Sequence, residues 1–220
     1  MIDFHTHILP NVDDGAKSIL DSIKMIEREL ECGVNEVYLT PHHIINKYQK
    51  SKEEIISSFN TLNEEIKSRN LDIKLHLGME IYYSEYENVL EKLKKGELLT
   101  LGDTNYVLLE FSYTYKPRDF EEIIYNFKVN GYKVIIAHIE RYTWMTLNDI
   151  KFLKSEGAII SINADSILNL HSRKEFKITK KLLKLDLVDI IASDTHIFRL
   201  SNLDKVKEKY GDIKELNYTI

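Results

Sequence analysis

One cysteine, three prolines, eight glycines and one tryptophan are all that 220 residues contain of these types. The single thiol, Cys32, excludes an intrachain disulfide framework and any thiolate cluster for zinc or iron–sulfur. Within its helical pattern it reads as a small buried apolar residue. So little proline and glycine beside 43% hydrophobic residues excludes a collagenous, low-complexity or disordered chain. No apolar run approaches the length of a membrane span, and the polar opening MIDFHTH does not read as a signal peptide, so no membrane insertion and a cytoplasmic location are expected. There is also no basic block: 30 Lys and Arg, dispersed along the chain, face 35 Asp and Glu, for a net charge of −5. Phosphate-backbone affinity needs clustered cations, so nucleic acid is not the expected partner.

What the chain does have is rhythm. Short apolar runs fall at Ile2 to His5, Glu36 to Thr40, Ile73 to Leu77, Tyr106 to Glu110, Lys133 to Ala137, Ala158 to Ile162 and Val188 to Ala192. Between them lie segments of helical period, such as Ile19, Ile23, Ile26 and Leu30 before Gly33, and Ile55, Phe59, Leu62 and Ile66. Further helices are expected at about Glu85 to Lys95, Asp119 to Asn130, Leu147 to Glu156, Lys174 to Leu185 and Asn202 to Tyr210, several stopping at a glycine suited to a left-handed C-cap. Runs such as KVIIA and AIISI lack polar alternation, the pattern of strands buried on both faces of a parallel sheet. Seven consecutive βα units predict an α/β barrel or a doubly wound sheet in one domain, 1–220, with only a short tail after Tyr210.

The charged and metal-capable residues gather where each strand runs into its loop: His5 and His7, Asp13 and Asp14, His42 and His43, Glu80, Glu110, His138, Asp165, Asp194 and His196. In parallel α/β architectures those loops share one face, so residues far apart in sequence converge. In Asp3-Phe4-His5-Thr6-His7 an extended backbone sends both imidazoles to the same side, within reach of one metal. Of the adjacent pair in TPHH, one is a ligand candidate, and spacing does not choose between His42 and His43. Glu80 and Glu110 each end an apolar strand, where a carboxylate buried without a cation is costly. A carboxylate also bridges two metals in hydrolytic sites whose ions lie about 3.5–4 Å apart. Such a cluster points to hydrolysis by metal-activated hydroxide, and Arg141, in AHIER, is the best-placed clamp for a phosphate. No GxSxG, P-loop or GxGxxG pattern competes. Asp14 and His42 are the first groups to test for protonating a leaving group.

The stretches DFHTHILPNVDDGAKS, TPHH, GMEIYY, LLEFS, IAHIERY and ASDTH, in that order over about Met1 to His196, resemble the PHP (polymerase and histidinol phosphatase) superfamily. More narrowly, they are similar to the bacterial CpsB/CapC-type manganese-dependent protein-tyrosine phosphatases. The resemblance implies a distorted seven-stranded (β/α)7 barrel with three metal ions, manganese by analogy, with iron or zinc as alternatives that the ligand types also accept. It implies that His5, His7, Asp194 and bridging Glu80 hold one ion, that Glu80, Glu110 and His138 hold a second, and that Asp14, His42 and His196 hold the third. Arg141 would contact the phosphoryl group, with Arg199 as a second arginine in HIFRLSNL, a loop that lacks the family's usual proline. The implied substrate is phosphotyrosine on a protein, notably the tail of a bacterial tyrosine autokinase controlling capsule or exopolysaccharide synthesis; an oligomer is compatible with it.

Two other functions fit the same residues. A histidinol-phosphate-type or other small-molecule phosphoesterase would share the metal machinery and differ in its loops. A catalytically silent metal-binding or kinase-docking module would keep the barrel without turnover. Several residues are expected to stand outside the chemistry: His76 packed in its strand and His171 solvated at a helix entry. Asn163 and Asp165 are assigned either to support a ligand or to cap a helix. Tyr82 and Tyr83 serve either as an aromatic wall or as core, and Trp144 is a rim candidate by proximity alone.

Overall fold

The computed structural model describes residues 1–211; the remainder of the tail after Tyr210, and so of the expected 1–220 domain, lies outside the described residues. Along the chain run β1 (Ile2–Thr6), α1 (Ile19–Glu31), β2 (Glu36–Leu39), β3 (His42–His43), α2 (Lys52–Ser68), β4 (Lys74–Leu77), β5 (Glu80–Tyr82), α3 (Val89–Lys94) and β6 (Tyr106–Glu110). There follow α4 (Phe120–Val129), β7 (Lys133–Ile136), a 3-10 turn (Ile139–Arg141), α5 (Leu147–Ser155), β8 (Ile159–Asn163), α6 (Ala164–Ile167), α7 (Arg173–Lys184), β9 (Ile190–Ala192) and α8 (Leu203–Tyr210).

The strands form two parallel sheets, β1-β2-β4 and β3-β5-β6-β7-β8-β9. Nine segments appear where seven runs were expected, because two short strands, β3 and β5, follow the runs Glu36 to Thr40 and Ile73 to Leu77. Pro41 has no N–H and breaks the ladder between β2 and β3, while Gly78-Met79 separates β4 from β5. The sheets stay joined across the breaks: Gly78 N–H donates to Leu39 O (2.9 Å) and Glu80 N–H to Pro41 O (3.1 Å). Between the outer strands, Asp194 N–H donates to His5 O (3.0 Å) and His7 N–H to Thr195 O (3.0 Å).

The absence of polar alternation has a direct structural cause. Tyr106, Leu108, Ile135, Ala137, Ile159, Ile190, Phe4 and Tyr38 fill one core. Their strand neighbours Val107, Leu109, Val134, Ile136 and Ile160 face a second core under the helices. Both faces of β6, β7 and β8 are therefore buried.

The helices begin where side-chain caps occur. Ser51 and Glu54 form a capping box at α2, and Thr146 and Asp149 form one at α5. Helices α4 and α5 are followed by Gly131 and Gly157, both at φ +84°. The helix expected over Glu85 to Lys95 is shorter. It starts only after Asn88, whose side chain accepts from Glu91 N–H, because residues 84–88 turn to bring Glu87 inward. The 3-10 turn and α6, each three or four residues long, are too short to show a period in sequence.

Candidate metal centre

Strand parity decides which side chains enter the site. Tyr106 and Leu108 lie on the inner face, so Glu110 does too; Ile190 and Ala192 lead in the same way to Asp194, and Tyr38 leads to His42. Ile81 belongs to the core under the helices, which puts Glu80 on the opposite side. Three residues depart from parity, each at or just after a backbone irregularity. Strict alternation from Phe4 would turn His5 and His7 outward, but the β1–β2 register shifts between Asp3 and Thr6. His138 follows inward Ala137 and is re-aimed by a left-handed φ of +30°. Asp194 is also left-handed, at φ +51°. Such conformations cost about 1–3 kcal/mol each and persist where surrounding bonds hold them; here Asp194 N–H is fixed by His5 O, and Arg141 N–H by His138 O.

The ligand-capable atoms converge in four overlapping groups: His7, Asp14, His42 and His196; His5, Glu80 and His138; His5, His7 and Asp194; and His42, Glu80 and Glu110. Glu80 is at the centre and fully buried. Its Oε2 lies 2.9 Å from His42 Nδ1, 3.1 Å from His5 Nε2 and 3.3 Å from His7 Nε2, while Oε1 lies 2.9 Å from His138 Nε2. Neither Glu80 Oε2 nor His42 Nδ1 makes a hydrogen bond despite this crowding. His5 Nε2 and His7 Nε2 point at each other across 3.1 Å. Glu80 Oε2 and His42 Nδ1, 2.9 Å apart without a hydrogen bond, fit a shared cation better than they fit each other.

Electrostatics gives the same answer. Burial, reinforced by the adjacent charge of Glu80, pushes the Glu110 carboxyl up to about 8. Burial and then the Arg141 guanidinium push His138 down to about 4. Glu80 itself is lowered: burial opposes its ionisation, but His5, His42 and His138 outweigh burial. A pair of carboxylates of which one must hold a proton, beside imidazoles of which one cannot, is the protonation pattern that divalent cations would relieve. The donor set therefore fits metal ions.

Around this centre, Asp194 Oδ2 accepts from Asn163 Nδ2 (2.7 Å) and Arg199 NH2 (2.7 Å) and lies 3.1 Å from Arg141 NH1. The two arginines thus meet on one carboxylate oxygen. Arg199 reaches it because His196 and Arg199 exchange backbone hydrogen bonds of 2.9 Å each, closing a tight turn that carries the arginine back over the site. Asn163 supports Asp194 and makes no side-chain cap at α6. Asp165 accepts from Asn202 (2.9 Å), away from the metal-capable groups.

The pairs left open by sequence now separate. His42 joins the cluster, whereas His43 turns away and bonds to buried Glu87 (2.9 Å). Asp14 joins it, whereas Asp13 accepts from His7 Nδ1 (2.8 Å) and fixes the ring so that Nε2 faces the centre. His76 is packed on Tyr38 and paired with Glu36, and His171 is exposed beside Glu175. Tyr83 packs on Phe111. Trp144 is not a rim residue: it donates to Ser112 O (2.7 Å) and packs on Phe120 and Tyr142. Sequence reasoning overlooked Tyr113, whose hydroxyl donates to Glu110 Oε1 (2.7 Å) and accepts from Arg141 NH1 (3.5 Å). Its place three residues beyond Glu110 was the one available signal.

The sequence matches the family described as "Capsular polysaccharide synthesis, CpsB/CapC" over residues 1–211. It is 31% identical over 217 residues to the tyrosine-protein phosphatase YwqE of Bacillus subtilis, covering 98% of this chain and 85% of that protein. It is 32% identical to the tyrosine-protein phosphatase CpsB of Streptococcus pneumoniae, covering 96% and 91%. In three dimensions it matches a solved structure from work on YwqE and CpsB, described there as metal-dependent tyrosine phosphatases. The TM-score is 0.88 and the identity 28%, with 98% of this chain and 89% of that one covered. A histidinol phosphate phosphatase from Lactococcus lactis shares the fold, at a TM-score of 0.61 and 14% identity, covering 95% and 91%. This chain, with its parallel α/β fold and its clustered imidazoles and carboxylates, belongs to the CpsB/CapC family.

Proposed function

We propose that this chain is a metal-dependent protein-tyrosine phosphatase working as a single domain. In this reading β2 with β3, and β4 with β5, are each one interrupted strand, so that the sheets make a distorted seven-stranded barrel closed between β9 and β1. The observation that carries the function is the fully buried Glu80 carboxylate set among four imidazole nitrogens within 3.3 Å, beside an aspartate shared by two arginines.

His5, His7, Asp194 and Glu80 would hold one ion, Glu80, Glu110 and His138 a second, and Asp14, His42 and His196 a third; manganese is the proposed metal. Bound cations would activate water to hydroxide near neutral pH and neutralise charge developing on the phosphoryl group. Arg141 and Arg199 present guanidinium N–H groups where phosphoryl oxygens would lie, and orient them by charge-assisted hydrogen bonds. Tyr113 steadies Arg141 and Glu110 together. Asp14 and His42 lie on the open side of the cluster; as ligands they carry no proton of their own, and their part in protonating the departing phenolate would be to hold the water that delivers it. Asp13 keeps the His7 ring in one tautomer and orientation.

The relatives named as tyrosine-protein phosphatases support phosphotyrosine as the substrate, and the family description supports a role in capsule or exopolysaccharide synthesis. The natural partner is then a cytoplasmic phosphotyrosine protein, the tail of a bacterial tyrosine autokinase. Among the described residues no helix is long and apolar enough to cross a membrane. Hydrolysis of a phosphotyrosine peptide is compared with that of histidinol phosphate, both with metal-loaded protein. Preference for the peptide is expected; preference for histidinol phosphate would replace this reading with the small-molecule one, and turnover of neither would favour a silent binding module.

A further inference from the structure

The metal-capable groups are unevenly shielded. Side-chain exposure is 0% for His7, 7% for His196 and 13% for His42, but 39% for Asp14. Of these groups Asp14 is the most open to solvent, so a group attached to a bound phosphoryl would project outward on that side. Two tight turns border that opening. In one, Ile44 and Tyr48 exchange backbone hydrogen bonds (2.8 and 2.9 Å), and the Tyr48 ring lies parallel to His42 with centroids 5.7 Å apart. In the other, His196 and Arg199 are bonded in the same way, and the Phe198 ring leans on His196 at 5.1 Å. The two imidazoles are themselves 6.3 Å apart. Phe198 is 74% exposed at the tip of its turn. A large apolar ring left mostly in water at the mouth of a charged site, on the turn that delivers Arg199, is not accounted for by core packing.

Resting on the phosphatase reading, we propose that Phe198, with Tyr48 beside it, forms the subsite for the aryl ring of the substrate and sets the preference for aryl over alkyl phosphate monoesters. The phosphoryl group is held by Arg141 and Arg199, and the attached ring lies against the exposed face of Phe198. An alkyl ester, having no ring, gains nothing from that face. Phe198 is exposed and meets the site through the His196 ring, so the metal content of each variant is measured beside its affinity.

The test measures affinity of metal-loaded protein for phenylphosphonate and for methylphosphonate by calorimetry, together with kcat/KM for phosphotyrosine and phosphoserine peptides. Wild type, Phe198→Ala and Phe198→Tyr are compared. Phe198→Ala should weaken phenylphosphonate binding and phosphotyrosine turnover by roughly 3- to 10-fold, the scale of one aromatic contact. Methylphosphonate binding and phosphoserine turnover should stay unchanged, and Phe198→Tyr should restore the aryl preference. Equal losses for the phenyl and methyl probes, or no loss for either, would overturn the proposal. A wild type that prefers the phenyl probe, and loses that preference in Phe198→Ala, yet hydrolyses no phosphotyrosine, supports the subsite and overturns the phosphatase reading alone.

Discussion

Replacing Arg141 by alanine removes a guanidinium while leaving the carboxylate beneath it satisfied. Asp194 Oδ2 keeps Arg199 NH2 and Asn163 Nδ2, each at 2.7 Å, so no buried charge is orphaned and the fold should survive. What disappears is the hydrogen bonding proposed between Arg141 and the phosphoryl group. A hydrogen bond to a charged group contributes about 1.5–3 kcal/mol, which at about 1.4 kcal/mol per factor of ten becomes a kcat/KM roughly 10- to 150-fold lower. Arg141→Lys should recover only part, because an ammonium cannot reproduce the planar fork. Arg199→Ala should behave similarly, since Arg141 NH1 at 3.1 Å then guards Asp194. The double variant differs in kind. Without metal it leaves Asp194 Oδ2 with Asn163 alone, and its melting temperature should fall by more than the two single effects together, a coupling on the order of 1–3 kcal/mol. The assay is steady-state hydrolysis of a phosphotyrosine peptide at matched metal content, with thermal melts of each variant. An unchanged kcat/KM in Arg141→Ala would remove that residue from the mechanism, and additive melting losses would refute the shared-carboxylate argument.

Two further perturbations test the frame around the site. A methyl group added at Gly15 would meet His7 O at 1.9 Å and His7 Cβ at 2.6 Å, so Gly15→Ala must displace a metal-capable histidine. A loss of roughly 1–3 kcal/mol in denaturant unfolding, with weaker metal uptake, is expected; unaltered uptake would mean that the loop yields without moving His7. Glu87 is held below the ordinary carboxylate value of 4.5: burial pushes it up, but Lys92 and His43 outweigh burial. Its contribution to stability is therefore fully present above that ordinary value and lost as pH falls through the lowered one. Melting temperatures of wild type and Glu87→Gln should differ most near neutrality and converge in acid, and a constant gap at all pH values would contradict that linkage.

Much of the framework was legible in sequence because it rests on pattern. The apolar runs mark strands with two buried faces, and the charged residues at their carboxyl ends fall together, as parallel topology requires. Illegible were the features set by local backbone or by distant partners. The short strands β3 and β5, just beyond the breaks at Pro41 and Gly78, have too few residues to show a run of their own. His42 and His43 are indistinguishable by spacing; only the partner Glu87, brought inward by the turn ahead of α3, shows which one leaves the site. Asp13 and Asp14 divide in the same way, through His7. Arg199 comes back over Asp194 because of a two-residue turn that composition does not reveal. Tyr113 escaped notice because its role depends on Glu110 and Arg141, which meet only in the fold.

The central claim is that cations held around Glu80 make this chain a phosphotyrosine phosphatase. Its most direct test is phosphotyrosine-peptide turnover by chelator-stripped protein titrated with manganese, in wild type and in Glu80→Gln. Turnover that is absent after stripping, returns with added metal in wild type and stays absent in the variant is the predicted result. Full activity in the stripped protein, or equal recovery by Glu80→Gln, would contradict it.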